Sequence, residues 1–223
     1  MNQYLKIPGV YKQVFSEKDR RYTIYIPESP TENKELALIT LLHWGGPVYP
    51  FKGWEILSGL GMPAFGELGA IIVSPDCPSG RWDDPVSEAY VMELYKWLID
   101  KYEIKKNKTL LAGYSFGGVG TWFIAARNQN EFAGALPISA RPLGEAVDVD
   151  WSIPIYIIHS RQDEVFQIED TVKAVELLRN KKTSVELKIV EGVTHYDTYG
   201  FIEPLKETIP WIRKVWGQGG WYN

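Results

Sequence analysis

Residues 110–118 read LLAGYSFGG. An apolar run ends, a serine stands among glycines, and helix-compatible residues follow. Two explanations compete: an ordinary tight turn, or a bend built to hold Ser115 out as a nucleophile. A strained strand-to-helix turn needs small residues on both sides of the serine, because the backbone doubles back there and points Oγ out of the sheet. Gly113 and Gly117 meet that need. In a chain with 20 glycines the pattern alone is weak, so its surroundings must choose.

Those surroundings are an alternation of strand and helix. Short apolar runs rich in β-branched and aromatic residues predict strands at 12–17, 21–26, 36–42, 69–74, 109–114, 133–139, 153–158 and 185–190. The first two flank SEKDRR and predict an antiparallel hairpin at a sheet edge. Apolar residues at three- and four-residue steps predict helices over 86–102, 116–128, 168–181 and 203–216. Strands alternating with helices require crossovers, hence an α/β fold with a mostly parallel sheet covered on both faces. The nearly continuous apolar runs ALITLL and IPIYII agree with burial on both sides.

The chain has 223 residues, which suits one domain over 1–223. Its net charge of -4 comes from acidic and basic residues mixed along the chain, so no basic stripe exists to track nucleic acid. No apolar run approaches the roughly 20 residues that cross a bilayer, so no membrane partner is expected. Cys77 is the only cysteine, which excludes an intramolecular disulfide and the usual four-thiolate metal sites; it is expected to be a buried small residue. The start of the chain, MNQYLKIPGV, lacks the features of a signal peptide, and a cytoplasmic location is expected, with a secreted mature form as the alternative. Nothing in the sequence specifies an oligomeric state.

A serine hydroxyl is a weak nucleophile at neutral pH and needs a base within hydrogen-bond reach. The chain has three histidines. His43 belongs to HWGG (43–46), His159 ends IYIIH, and His195 ends EGVTH after the last strand. A loop after the final strand can hang over the carboxyl edge, where ligands of parallel sheets gather, which favours His195 as base with His159 as the alternative. HSRQDEVF (159–166) places Asp163 at that same edge, where a carboxylate can orient the imidazole. A helix cap is the competing role for Asp163, and Glu164 and Asp170 compete for the acid.

Acyl transfer also needs two N–H donors for the oxyanion. The Phe116 N–H, at the start of the helix after Ser115, is one candidate. The second is the N–H of Trp44 or Gly45. Bulky aromatics near this edge are Trp44, Tyr49, Phe51, Trp54, Trp82, Phe116 and Phe166, of which Trp44, Phe116, Trp82 and Phe166 are taken as substrate-binding candidates. Arg81 and Arg141 are expected to be solvated surface charges, and Asp83 with Asp84 a solvated turn rather than a metal site.

In these motifs the chain resembles the α/β-hydrolase superfamily over nearly its whole length. GYSFGG looks like the nucleophile elbow, HWGG like the oxyanion loop, HSRQDEVF like the acid loop and EGVTH like the histidine loop, in the family's order. Within the superfamily it looks most like compact bacterial carboxylesterases of the polyhydroxybutyrate depolymerase, feruloyl esterase and dienelactone hydrolase group. The resemblance implies a Ser115–His195–Asp163 triad, an oxyanion hole from Trp44 and Phe116, and no cofactor or metal. It departs from many relatives in having Trp44 where they carry glycine. Only ARPLGEAVDVDWS separates LPIS from IPIYII, too little for a lid domain. The expected substrate is a small-molecule carboxylic ester, small or aryl (feruloyl-like), free or carried on a polysaccharide. Peptidase or acyltransferase activity from the same acyl-enzyme is the alternative, and a non-catalytic binding module retaining the fold is the rival of another class.

Overall fold

β3 (Leu38–Leu42), β4 (Ile71–Pro75), β5 (Thr109–Tyr114) and β6 (Gly134–Ile138) are buried at every position. Strands covered on both faces have no polar side to offer, which is why their sequences run apolar without alternating. They form the centre of an eight-stranded sheet of order β1-β2-β4-β3-β5-β6-β7-β8 in the computed structural model, which describes residues 7–15, 20–28, 35–142 and 144–217. β1 (Gly9–Phe15) and β2 (Arg20–Ile26) pair antiparallel at one edge, and β2 pairs antiparallel with β4. From β4 onward every pairing is parallel, out to β7 (Ile155–Gln162) and β8 (Val185–Thr194) at the far edge. All eight expected strands are found, residues 16–17 of the first lying outside the described residues, and β1 and β2 pair antiparallel as expected for the edge hairpin. The fold is that of the α/β-hydrolases.

Among the described residues eight α-helices flank the sheet. α1 (Gly53–Ile56) runs through a π-helical turn, Leu57–Gly61, into α2 (Met62–Phe65). The sequence patterns leave this run unassigned, because Gly53, Gly59, Gly61, Pro63 and Gly66 interrupt it. Its apolar side, Ile56, Leu57, Leu60, Ala64 and Phe65, is nonetheless fully packed into the core. α3 (Pro85–Lys101) buries Tyr90, Val91, Leu94, Tyr95 and Leu98 on the sheet, with Asp84 capping its start by accepting from the Val86 N–H. α4 (Phe116–Arg127) follows the serine, α5 (Glu145–Asp148) is a single turn, and α6 (Ile168–Asn180) packs on β7 and β8.

The expected helix over 203–216 is two: α7 (Ile202–Lys206) and α8 (Ile209–Val215). Pro210 has no N–H to continue the first helix and instead starts the second, while Thr208 turns its hydroxyl onto the Leu205 carbonyl at 2.7 Å. Between β6 and β7 the described residues hold only α5. Among the described residues no helix is long and apolar enough to cross a membrane. The tail carrying Trp221 and Tyr222 lies outside the described residues.

Strand register places the chemistry. Leu42 of β3 is level with Gly113 of β5, and Tyr114 with Ile138 of β6. The loop that begins at His43 therefore leaves the sheet beside Ser115. At the far edge, Ser160 pairs with Val190 but Gln162 pairs with Thr194, so Arg161 alone faces Glu191, Gly192 and Val193. This bulge advances β8 relative to β7 and brings His195 across from Asp163.

Candidate active site

The elbow is strained and tightly packed. Ser115 sits at φ 58°, ψ -122°, a conformation that a residue with a side chain rarely adopts. Its N–H donates to the Ile138 carbonyl at 2.9 Å, anchoring the turn to β6. A Cβ on Gly113 would meet the Gly117 carbonyl oxygen at 2.2 Å, and one on Gly117 would meet the Leu42 carbonyl oxygen at 2.0 Å. Both glycines are required because three backbone segments touch there.

The structure brings together three side chains from distant parts of the chain. Ser115 Oγ lies 2.8 Å from His195 Nε2, and His195 Nδ1 lies 2.9 and 2.8 Å from the two oxygens of Asp163. Facing a carboxylate, Nδ1 carries the proton, which leaves Nε2 to accept from the serine hydroxyl. Asp163 Oδ1 also accepts from the N–H groups of Val165 (2.9 Å) and Phe166 (2.7 Å). Asp163 thus closes its own turn without capping α6, whose first flanking residue is Gln167. Burial would raise its pKa, but hydrogen bonds from His159, His195 and these two amides outweigh that and hold the carboxyl well below the usual carboxylate range.

His195 is held at both ends of its backbone. Its N–H donates to Glu164 Oε2 at 2.8 Å, and its carbonyl accepts from the Tyr114 hydroxyl. Glu164 is therefore engaged with the backbone of the imidazole-bearing residue rather than with its ring. His159, the alternative base, is fully buried and turned away from the serine. Its Nε2 donates to the Phe166 carbonyl at 2.7 Å and lies 3.3 Å from Asp163 Oδ2, while Nδ1 accepts from the Thr171 hydroxyl at 2.9 Å. It supports the carboxylate.

The loop after β3 is pinned by three buried groups. His43 Nδ1 donates to the Trp44 carbonyl at 2.7 Å and Nε2 accepts from the Cys77 N–H at 3.2 Å. Burial pushes its pKa down to about 4, the Trp44 carbonyl opposing the shift and the nearby Lys52 charge adding to it. Lys52 Nζ donates to the carbonyls of Gly45 (2.8 Å) and Pro47 (3.1 Å). Trp82 Nε1 donates to the His43 carbonyl at 2.7 Å. In a trans peptide the N–H points opposite the carbonyl, so tying the His43 carbonyl into the core aims the Trp44 N–H outward.

A cavity of about 490 Å³ opens over the serine, lined by aromatic, small and hydroxyl residues that include Trp44, Gly45, Ser115, Phe116, Val165 and His195. Among the described residues no lysine or arginine lines it. Trp44 and Phe116 stand at this cavity as expected, Phe116 being 50% exposed. Phe166 is not in the lining; its ring packs edge-on against Phe116 and His195 from behind. Trp82 does not face the cavity. It is 2% exposed, with its side chain packed over Gly120, because its indole N–H serves the His43 carbonyl in the core.

The remaining candidates have structural partners. Arg81 pairs with Asp83 at 2.9 Å, Asp84 caps α3, Arg141 lies 3.5 Å from Asp170, and Cys77 is buried. Lys52 and Tyr114 escape a reading by motif, and Trp82, Glu164 and His159, named there in other roles, are found to act through a backbone carbonyl, a backbone amide and a carboxylate.

A serine facing a neutral imidazole that is itself oriented by a carboxylate, at the N-terminus of a helix, can lose its proton as it attacks a carbonyl carbon. Known proteins are similar to this chain. The dienelactone hydrolase family model matches residues 81–209, more than half of the sequence. Feruloyl esterase D of Neurospora crassa is 24% identical over 161 residues, which are 68% of this chain and 56% of that protein, so the chain spans about half the length of this curated relative. Among solved structures, a thermostable esterase superposes with a TM-score of 0.75 at 21% identity, over 93% of this chain and 62% of that one. The Staphylococcus aureus fluorophosphonate-binding serine hydrolase F gives 0.74 at 15% identity, over 92% and 98% of the two chains. A ferulic acid esterase gives 0.72 at 16% identity, over 93% and 97%. With a family match over more than half its length and esterases sharing its fold, the chain belongs to the dienelactone hydrolase family of hydrolases.

Proposed function

We propose that this protein hydrolyses neutral carboxylic esters through an acyl-enzyme on Ser115. The observation that carries the reading is the unbroken hydrogen-bonded path from Ser115 Oγ through His195 to Asp163 at the floor of an open cavity. Ser115 Oγ attacks the ester carbonyl while its proton passes to His195 Nε2. The oxyanion is met by the N–H of Phe116, at the start of α4 where helical amides lack internal partners, and by the N–H of Trp44. His195 returns the proton to the departing alcohol oxygen, and water, activated by the same imidazole, releases the acid.

The lining supports neutral acyl groups of aryl or short aliphatic kind. Trp44, Phe116 and Tyr196 offer flat apolar surfaces, and among the described residues no lysine or arginine stands at the wall to partner a carboxylate on the acyl group. The name of the Neurospora relative agrees with a feruloyl-like acid.

Ser115→Ala tests the reading. Its expected loss in kcat is about a thousandfold or more on p-nitrophenyl acetate and methyl ferulate, with the far-ultraviolet circular dichroism unchanged. A fluorophosphonate probe should add one phosphonyl group to the wild-type protein, on Ser115, and none to the variant. Equal turnover by the two proteins, or labelling elsewhere, refutes the assignment.

A further inference from the structure

A second groove of about 420 Å³ continues from the cavity over the serine, and the two share Trp44 and Thr198. Its other walls come from two segments. The run from α1 into the π-helical turn supplies Trp54, Glu55, Ser58 and Gly59, and the residues after His195 supply Tyr199. We infer that this groove is a subsite for the alcohol half of the ester, and that the alcohol it takes is a sugar.

The position fixes which half of the substrate lies there. In the collapse of the first tetrahedral intermediate the imidazolium gives its proton to the leaving oxygen, so the alcohol must depart on the side of His195. Thr198 and Tyr199 extend from that same segment, and the groove runs along it. The inference therefore rests on the reading of Ser115 as an ester-cleaving nucleophile.

The chemistry of the walls selects the class of alcohol. Trp54 is 40% exposed and Tyr199 69% exposed, large aromatic faces left in water at the two sides of the groove. The Tyr199 ring lies against Gly59, where an added Cβ would meet it at 3.9 Å, so the floor beside it is bare backbone. Aromatic faces carry negative charge density and attract the weakly positive C–H face of a saturated ring. Between them stand hydrogen-bonding groups. Glu55 is oriented by the Tyr49 hydroxyl on Oε1, and Ser58 spends its proton on the Trp54 carbonyl at 2.7 Å, so both present lone pairs as acceptors. Lys12 lies over the Trp54 ring at 5.4 Å but does not line the groove. Among the described residues the one charged side chain in the lining is the Glu55 carboxylate, which disfavours an anionic alcohol. Stacking faces together with free acceptor lone pairs match a neutral ring bearing several hydroxyls; a simple alkyl alcohol would bring no further donors to Glu55 and Ser58.

Two measurements test this. In saturation-transfer NMR on the Ser115→Ala protein, xylobiose, cellobiose and maltose serve as probes; at least one should receive magnetisation, and the signal should vanish in the added Trp54→Ala, Tyr199→Ala background. In kinetics on the protein with Ser115 intact, kcat/KM is measured for acetylated xylobiose and for ethyl acetate. Their ratio should fall by about tenfold when Trp54 and Tyr199 are replaced by alanine. An unchanged ratio, or no transfer to any of the three sugars, overturns the subsite while leaving ester hydrolysis intact. If neither ester is turned over by the protein, the reading of Ser115 fails, and the NMR signal with its loss in the double variant still decides the sugar site. A ratio that already favours ethyl acetate in the wild type assigns the groove to small alcohols and overturns it as well.

Discussion

Nε2 of His159 lies 3.3 Å from Oδ2 of Asp163, on a carboxylate that also holds Nδ1 of His195 at 2.8 Å. Two imidazoles thus share one acid, but only one faces the serine. His159 withdraws electron density from the carboxylate and stiffens the turn through the Phe166 carbonyl. His159→Leu should lower kcat/KM by about tenfold or more. With one donor fewer, the Asp163 carboxylate is less well stabilised, and the thermal stability of the variant should fall with the rate. His159→Gln, whose amide keeps a donor, should recover part of the rate. A rate loss that His159→Gln does not recover at all would assign His159 to packing alone.

Trp82 acts on the oxyanion donor from the core. Trp82→Phe removes the N–H that holds the His43 carbonyl at 2.7 Å. An unsatisfied buried carbonyl costs about 1–3 kcal/mol, and the freed peptide no longer aims the Trp44 N–H. Thermal denaturation should show the loss of stability, and steady-state kinetics on p-nitrophenyl acetate should show kcat falling more than KM rises.

Lys52 is buried beneath the same loop, where burial draws the pKa of its ammonium down. Lys52→Met keeps the aliphatic stem and releases the carbonyls of Gly45 and Pro47. The expected result is a kcat reduced by about tenfold, with amide chemical-shift changes at Gly45 and Gly46 in ¹H–¹⁵N spectra. Unmoved amides would show that the loop holds its shape without the ammonium.

His43 makes stability depend on pH. Its folded pKa of about 4 lies below the ordinary value of 6.5, because burial disfavours the charged ring. Between those values the unfolded chain binds the proton and the folded chain does not, so stability falls as the solution is acidified from 6.5 towards 4. The full effect is about 3 kcal/mol at most. His43→Gln should be less stable than the wild type at pH 7, yet its melting temperature should decline less between pH 6.5 and 4. Parallel declines would exclude His43 as a source of the acid sensitivity.

Much of this was legible in the chain. The serine elbow, the eight strands and the order of Ser115, Asp163 and His195 follow from local patterns, because a buried parallel strand must be apolar throughout and an elbow must have glycines where backbones touch. The helical run at 53–68 was not legible. Its glycines and Pro63 break the periodicity, and only packing of Ile56, Leu60 and Phe65 against the sheet makes it helical. With it were hidden Trp54 and Glu55 as groove residues. Trp82 was misplaced for a related reason: an aromatic residue in a loop near the carboxyl edge can face either way, and the uncapped His43 carbonyl that draws it inward belongs to a segment 39 residues away.

The sequence by itself determined the kinds of element and the groups available for chemistry, since hydrophobic period, glycine placement and side-chain acidity are local properties. Which groups meet was decided by the tertiary structure. Had β7 and β8 kept the pairing of Ser160 with Val190 to their ends, Asp163 would stand opposite Val193. The bulge at 191–193 changes the register so that Gln162 meets Thr194 and the carboxylate meets His195. No local pattern encodes that change, because it is settled by hydrogen bonds between two strands, Gly192 N–H to Gln162 and the Ser160 hydroxyl to the Val193 carbonyl, that form only once the sheet is assembled.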